Sequence, residues 1–152
     1  MMNWFVNNRE VIKELAINTG TSDNQTYTKM CTTSEITVNT ELEQTDFYVF
    51  CDALQRHLIT GANISLDTTV KMDMNNVAIM SKVHTLLSEG TVAQFNNVSI
   101  KFDLLDKVEN NVLTYKTYKA NASLDFSDLG GAAEEEGEFS LTISINGKAV
   151  EE

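Results

Sequence analysis

Carboxylates are the side chains of this chain best able to do chemistry, and many lie near its end. The 152 residues include 11 Lys and Arg against 22 Asp and Glu, a formal net charge of −11. The acidic segment near the end of the chain contains Asp125, Asp128, Glu134, Glu135, Glu136 and Glu138. Carboxylates suit a hard cation such as Ca²⁺. The segment lacks the alternating oxygen spacing of a calcium loop, so we predict a solvated turn and no metal ion.

Nucleophiles and metal ligands are sparse. The two histidines, His57 and His84, have no second ligand at helical spacing, and a structural or surface role is the simpler interpretation. Two cysteines, Cys31 and Cys51, form no disulfide framework or zinc cluster, so we expect small apolar core residues. The sequence contains no zinc-protease, nucleophile-elbow or phosphate-loop motif. We therefore predict no catalytic residues, no cofactor and no enzymatic activity.

The acidic balance bears on partners and location. Stable binding of nucleic acid needs a patch of basic residues, and binding to an anionic membrane surface also needs cations. The acidic balance argues against both kinds of partner. The first residues, MMNWFVNNREV, lack the basic and apolar regions of a signal peptide, and no apolar run approaches membrane-spanning length. We expect a single domain over residues 1–152 that stays soluble in the cytoplasm where it is made. Residues 1–10 are expected to form an extended N-terminal arm.

Alternation of apolar and polar residues dominates the chain. This period of two is typical of strands that bury one face. It predicts strands over residues 34–42, 63–73, 98–102, 112–126 and 139–146, with weaker candidates over 13–18 and 23–30. This many short strands in one domain predict an antiparallel β-sandwich or barrel.

Helical spacing occurs in two places. Residues 76–89 are predicted as one flanking α-helix, capped by Asn75 or Asn76 and ended by Gly90. Its apolar stripe contains Val77, Met80, Val83, Leu86 and Leu87. A second short helix is a candidate over residues 46–58, where Phe47, Phe50, Cys51, Leu54 and Leu58 fall at helical spacing. The run FYVFC in this segment also fits a strand.

The polar faces of the predicted strands are rich in Ser, Thr and Asn. Strand propensity alone can explain this, because Thr is favoured on pleated surfaces. The alternative is that these faces meet other protein or line a wet surface that should not adhere.

Three segments carry a resemblance to a known family. They are CTTSEITVNTELEQTD, ITGANISLDTTVKMDMNNVAIMSKVHTLLSEGTVAQFNNVSIKF and ANASLDFSDLGGAAEEEGEFSLTISINGKAV. Their succession of strand, helix, strand and acidic turn resembles the tail tube (major tail) proteins of long-tailed bacteriophages. The run FYVFCDALQRHL departs from the pattern, because many members have a Trp-centred turn there.

The resemblance implies a β-sandwich with one flanking helix, assembled as six copies in a ring whose sheets join around a lumen. Rings would stack into the virion's tail tube, with the subunit made in the bacterial host cytoplasm. The implied partners are other copies of the chain and the tape-measure, tail-tip and tail-terminator proteins. DNA would pass through without specific binding, and no membrane would be involved. Contractile tails, phage-tail-like bacteriocins and type VI secretion tubes share this fold.

The resemblance also implies roles for particular residues. Stacking in this family usually relies on a long loop and the chain termini, so the candidates here are residues 1–10 and the stretch from Thr40 to Gly61. The candidate stacking contacts are Trp4, Phe5, Glu41 and Glu43. The acidic segment from Asp125 to Glu138 would lie at the ring surface or lumen mouth, unless it only keeps subunits soluble. The alternatives are a head decoration or tail-terminator protein, or a ligand-binding β-sandwich module.

Overall fold

A computed structural model describes residues 10–20, 24–130, 133 and 137–151. These residues form seven strands in one antiparallel sheet. The strands are β1 (Ile12–Asn18), β2 (Tyr27–Lys29), β3 (Thr33–Val49), β4 (Asp52–Lys71), β5 (Val98–Glu109), β6 (Val112–Ser127) and β7 (Glu138–Glu151). Each segment predicted as a strand from its alternation contributes to one of them, so the mainly β fold class is confirmed.

The sheet rolls toward itself without closing. Its strand order is β2-β1-β5-β6-β7-β4-β3, which places β1 and β3 near opposite ends. Val11 and Ile12 nevertheless line the same cleft of about 710 Å³ as residues Thr33–Val38 of β3. The two ends of the sheet therefore approach each other across an open seam, and the architecture is an incompletely closed barrel.

One face of the rolled sheet is the hydrophobic core. Cross-strand neighbours form rows on this face, and one row runs Val38, Leu66, Ile143 and Leu124 across β3, β4, β7 and β6. The fully buried side chains at its centre include Phe139, Leu141, Ile143, Ile100 and Ile17. The period-two pattern produces this face directly, because successive side chains of a strand point to opposite sides of the sheet.

Replacing Phe139 with alanine is expected to lower the free energy of unfolding by about 3–5 kcal/mol, the usual cost of emptying a buried aromatic site. The Phe139 side chain is fully buried, and its ring centroid lies 5.7 Å from that of Phe126. Chemical denaturation of the unassembled subunit measures the change. Phe50→Ala, at a fully exposed site, is the matched control and is expected to change stability by less than about 0.5 kcal/mol. Equal losses in the two variants would contradict the assigned core.

The predicted flanking helix is present, although its start differs from the prediction. A 3₁₀ turn over Val77–Ile79 leads into α1 (Met80–Glu89), which ends at Gly90 with φ of 68°. Neither predicted cap, Asn75 or Asn76, caps the helix with its side chain. Instead, Asp73 Oδ1 accepts the backbone N–H groups of Asn75 and Asn76, each at 2.9 Å. The Asp73 carboxylate therefore satisfies two backbone N–H donors in the turn that leads to the helix.

The helix contacts the barrel through fewer residues than its stripe predicts. Ile79 is fully buried, whereas Leu86 and Leu87 are exposed. Lys82 is buried instead, and its Nζ donates to the Gln94 carbonyl oxygen at 3.1 Å while Gln94 Nε2 donates to the Lys82 carbonyl at 3.1 Å. Burial lowers the pKa of Lys82. This reciprocal pair fixes α1 against the 3₁₀ turn Ala93–Phe95 that precedes β5.

The candidate helix over residues 46–58 is wrong. These residues are the outer part of a hairpin in which β3 and β4 pair continuously from Thr33–Val70 to Val49–Asp52, with three bulges. Cross-strand pairing over this length outweighs the local helical spacing of the apolar residues, since propensity is a weak prior against tertiary pairing. The prediction of buried cysteines is also wrong, because Cys31 and Cys51 are both exposed.

Candidate assembly surfaces

The outer face of four adjacent strands is uniformly polar. Pairing aligns β3, β4, β7 and β6 into three successive rows of four outward side chains. The rows are Glu35–Thr69–Ser140–Ser127, Thr37–Asp67–Thr142–Asp125 and Asn39–Ser65–Ser144–Ser123. We call these twelve positions the polar face. Eight are Ser or Thr, three are acidic, one is Asn, and none is Lys or Arg.

Hydrogen bonds hold part of the polar face in place. Asp67 accepts from Thr142 Oγ1 at 3.2 Å and from the side-chain amide of Asn39. Asn146, next along β7, donates to Ser123 Oγ at 3.1 Å. Asp125 lies opposite Thr142 and is exposed. Within these twelve positions the surface consists mainly of hydroxyl groups, and the carboxylates are the only charged groups. Lys71, opposite Glu138, is the next residue of β4 on this face beyond Thr69.

The residues of the acidic segment do not lie together in one place. Asp125 belongs to the polar face, Asp128 follows the end of β6 and is exposed, and Glu138 begins β7 opposite Lys71. Glu134, Glu135 and Glu136 lie outside the described residues. The structure thus brings Asp125 and Glu138 onto one sheet, and Asp125 is the predicted acidic residue that lies among the hydroxyl rows.

The hairpin of β3 and β4 extends well beyond the rest of the sheet. Pairing between β4 and β7 covers only residues Ser65–Lys71, so residues 40–63 project from the barrel as a two-stranded arm. The ten residues from Thr40 to Val49 span roughly 33 Å at the usual rise of a strand. An isolated two-stranded hairpin is marginally stable in water, so an arm of this length favours a role in contact with another surface.

The arm exposes large apolar side chains throughout. At its outer end Phe50 is fully exposed, Leu54 is 74% exposed and Tyr48 is 69% exposed. The other exposed apolar side chains of the arm are Leu42, Phe47, Val49, Leu58 and Ile59. Contiguous exposed apolar surface on a soluble protein marks a contact surface for another molecule.

The turn at the end of the arm has an unusual sequence. Val49 pairs with Asp52, so the connecting residues are Phe50 and Cys51. Two-residue hairpin turns favour Asn and Gly because their backbone needs positive φ. The hairpin of β5 and β6 follows that rule with Asn110 and Asn111, at φ of 51° and 64°. Neither Phe50 nor Cys51 has a positive φ, so the backbone of this turn excludes neither residue. The unfavourable feature is the full exposure of the Phe50 ring to solvent, which contact with another molecule would relieve.

The predicted stacking residues divide between the arm and the undescribed start of the chain. Glu41 and Glu43 are exposed on the arm, on the strand face that continues from Glu35, Thr37 and Asn39 of the polar face. The Glu43 carboxylate lies over Gly61, where an added Cβ would approach its Oε2 to 3.0 Å. Trp4 and Phe5 lie outside the described residues, so their predicted role stays a prediction.

A hydrogen-bonded cluster stiffens the middle of the arm. Gln44 Nε2 donates to Asp46 Oδ1 at 2.7 Å, and His57 Nδ1 lies 2.6 Å from the same oxygen across the strand pair. These two contacts, the Gln44 hydrogen bond first, lower the pKa of Asp46 below its ordinary value. The side chain therefore stays ionised at neutral pH, and the arm carries a fixed negative charge there.

Removing the amide donor with Gln44→Ala is expected to raise the pKa of Asp46 toward its ordinary value. Because the folded-state pKa is depressed, the stabilisation from this contact is present above the unfolded-state pKa and is lost as pH falls through the lower folded-state value. NMR titration of the Asp46 carboxyl carbon measures the shift, and carboxyl groups outside the arm serve as internal controls. An unchanged Asp46 midpoint would contradict the assigned hydrogen bond.

Within residues 10–20, 24–130, 133 and 137–151, no group of three or more His, Cys, Asp or Glu residues is placed to hold a metal ion. Over the same residues, no helix combines the length and apolar character needed to cross a bilayer.

Comparisons with known proteins place the fold among components of tail-like particles. No protein-family model and no curated protein matches the sequence. A chain of the tail of an empty GTA particle, refined with helical C6 symmetry, is similar with a TM-score of 0.52 and 9% identity, over 97% of this chain and 99% of that one.

A chain of the six-fold symmetrised baseplate of the anti-feeding prophage is similar with a TM-score of 0.50 and 14% identity, over 99% of this chain and 97% of that one. At these identities the comparisons establish a shared fold over nearly the whole chain. This chain therefore shares its fold with a chain of the GTA particle tail and with a chain of the anti-feeding prophage baseplate.

Proposed function

We propose that this chain is a structural subunit that assembles into six-fold rings, which stack into the tube of a phage-tail-like particle. The observation that carries the proposal is the arm of residues 40–63, whose eight large apolar side chains are exposed in the monomer. Burying each such side chain against a neighbour would contribute about 1.5–3 kcal/mol before the costs of association. An assembly uses that surface, whereas an isolated subunit carries it as an aggregation hazard.

The free sheet edge supports ring formation. Among the described residues, β3 ends the strand order and pairs with β4 alone. An exposed edge of this length pairs readily with another chain unless it is protected. In a closed ring each copy's edge meets its neighbour, and the assembly removes the hazard that the monomer carries. Both structural relatives come from assemblies with six-fold symmetry, which is the basis for proposing six copies.

The polar face supports a role as the wall of a channel. Its twelve positions hold hydroxyls, one amide and three carboxylates but no cation. Lys and Arg would contact the phosphates of passing DNA and retain it, since such contacts supply most sequence-independent affinity. We therefore assign the polar face to the lumen, with Asp125 among its acidic residues, and assign the subunit a structural and not a catalytic role.

Sedimentation velocity over a concentration series, with negative-stain electron microscopy of each sample, tests this function. The proposal predicts a change from slowly sedimenting subunits to long hollow tubes as concentration rises. A chain that stays monomeric throughout the series contradicts self-assembly. Closed particles without a channel contradict the tube and fit a decoration protein.

A further inference from the structure

An apolar cavity lies where the arm leaves the barrel. Its volume is about 550 Å³, and its walls include Val38 and Ile64 from the arm's base, Phe102 and Leu104 from β5, Tyr118 from β6 and Ile145 from β7. We call this cavity the apolar groove. Val38 and Ile64 are exposed, and the ring centroids of Phe102 and Tyr118 lie 5.9 Å apart with the rings tilted by 33°. The groove is the open end of the core, where apolar side chains face solvent.

The chemistry of the groove favours a protein side chain over a small ligand. Pockets that hold small molecules are commonly about 300–1,000 Å³ and place a few convergent polar groups among apolar walls. This groove has the volume but nearly lacks the polar groups, and Lys148 is the charged residue among those that line it. An occupant with two or three apolar side chains and little polarity fits such a surface.

We infer that the apolar groove of one copy receives the arm tip, Tyr48, Phe50 and Leu54, of another copy. This rests on the proposed self-assembly and identifies the surface that the arm contacts. A copy's own tip does not reach its own groove, because the groove lies at the base of the arm and the tip lies roughly 33 Å away. The contact therefore joins different copies.

Charge also matches the two surfaces. Residues 40–63 contain the carboxylates Glu41, Glu43, Asp46 and Asp52 against a single arginine, Arg56. Lys148 on β7 is the one charged residue among the described residues that line the groove. An acidic arm approaching this lysine gains orientation more than affinity, and the arm's own carboxylates disfavour contact between two arms.

The geometry of this contact produces an open assembly. The tip and the groove are different patches of the same chain, so each copy donates an arm and accepts one. Such heterologous contacts propagate unless rotation closes them into a ring. Because the groove adjoins the base of the accepting copy's own arm, successive arms form a continuous line of contacts from ring to ring.

The exposed Cys51 at the tip provides a direct probe. In a Cys31→Ser background, Lys148→Cys places a second thiol at the groove rim, and a short thiol-reactive crosslinker is added under assembly conditions. The inference predicts a ladder of covalent oligomers on denaturing gels, since each copy then carries one thiol at each end of the contact. Cys51→Ser removes the ladder, and Ser88→Cys on the exposed surface of α1 replaces Lys148→Cys as the matched control.

A second variant tests the groove without crosslinking. Tyr118→Ser removes an aromatic wall and is expected to raise the concentration at which tubes form by about tenfold or more. Circular dichroism of the unassembled subunit checks that the variant is folded. If Tyr118→Ser does not fold, Ile64→Ser, at an exposed groove position, provides the same measurement.

The outcomes separate the two proposals. Tubes with a ladder only from Lys148→Cys support the groove as the tip's receptor. Tubes with no ladder from Lys148→Cys, or with an equal ladder from Ser88→Cys, contradict the proposed contact between tip and groove but not the tube function. Failure of the unmodified chain to assemble overturns both.

Discussion

Replacing Phe50 and Leu54 with serine is expected to abolish tube formation while the subunit remains folded. Both side chains lie at the end of the arm and are largely exposed, so the isolated subunit loses no packing. In the assembly each apolar side chain contributes about 1.5–3 kcal/mol on burial, so the pair raises the concentration needed for assembly by at least about 100-fold. Sedimentation velocity and denaturation of the same preparation measure both quantities.

The control for this prediction is Leu87→Ser on α1, which removes a similarly exposed leucine from a surface with no assigned partner. It is expected to leave assembly unchanged. If Leu87→Ser abolishes tubes and the tip variant does not, the contact lies on the helix and the role assigned to the arm is wrong.

Reversing the charge of Asp125 with lysine is expected to make assembled tubes retain DNA. Asp125 is exposed on the polar face beside Thr142, so the substitution places a cation among hydroxyls that carry none. Retention should fall steeply with salt, with a slope of about −0.9 in log affinity for each contacted phosphate. The fraction of labelled duplex DNA that sediments with tubes is measured against salt concentration.

Two control variants separate the effect of the position from the effect of the added charge. Asp106→Lys makes the same change at an exposed site on β5 outside the polar face, and Asp125→Asn removes the carboxylate without adding a cation. Neither is expected to retain DNA appreciably. Equal retention by Asp125→Lys and Asp106→Lys tubes would show that the polar face does not line the channel.

The strands of the fold could be predicted from the sequence because alternation within a single strand already separates its buried face from its exposed face. Alternation along residues 139–146, for example, separates Phe139, Leu141 and Ile143 from Ser140, Thr142 and Ser144 without any knowledge of neighbours. The polar face could not be predicted in the same way. Its rows depend on pairing between β4 and β7, which are separated in sequence by the helix and two strands.

The arm was mispredicted for a physical reason that its residues make clear. Phe47, Phe50, Leu54 and Leu58 fall at helical spacing, and the turn at Phe50 and Cys51 has neither Gly nor Asn to mark a hairpin. A contact surface places apolar residues at exposed positions, where solvation alone would favour polar ones. The local signals were therefore weakest at the segment that we assign to assembly, and Cys51, predicted to be buried, is exposed for the same reason.

A helical reconstruction of the assembled protein by cryo-electron microscopy would show where the polar face and the arms lie in the tube. We predict six subunits in each ring, the Ser65, Ser144 and Ser123 row facing the lumen, and the tip of each arm in contact with the adjacent ring. A tube whose lumen is lined by α1, or an assembly in which the arms of residues 40–63 extend into solvent, would contradict this prediction.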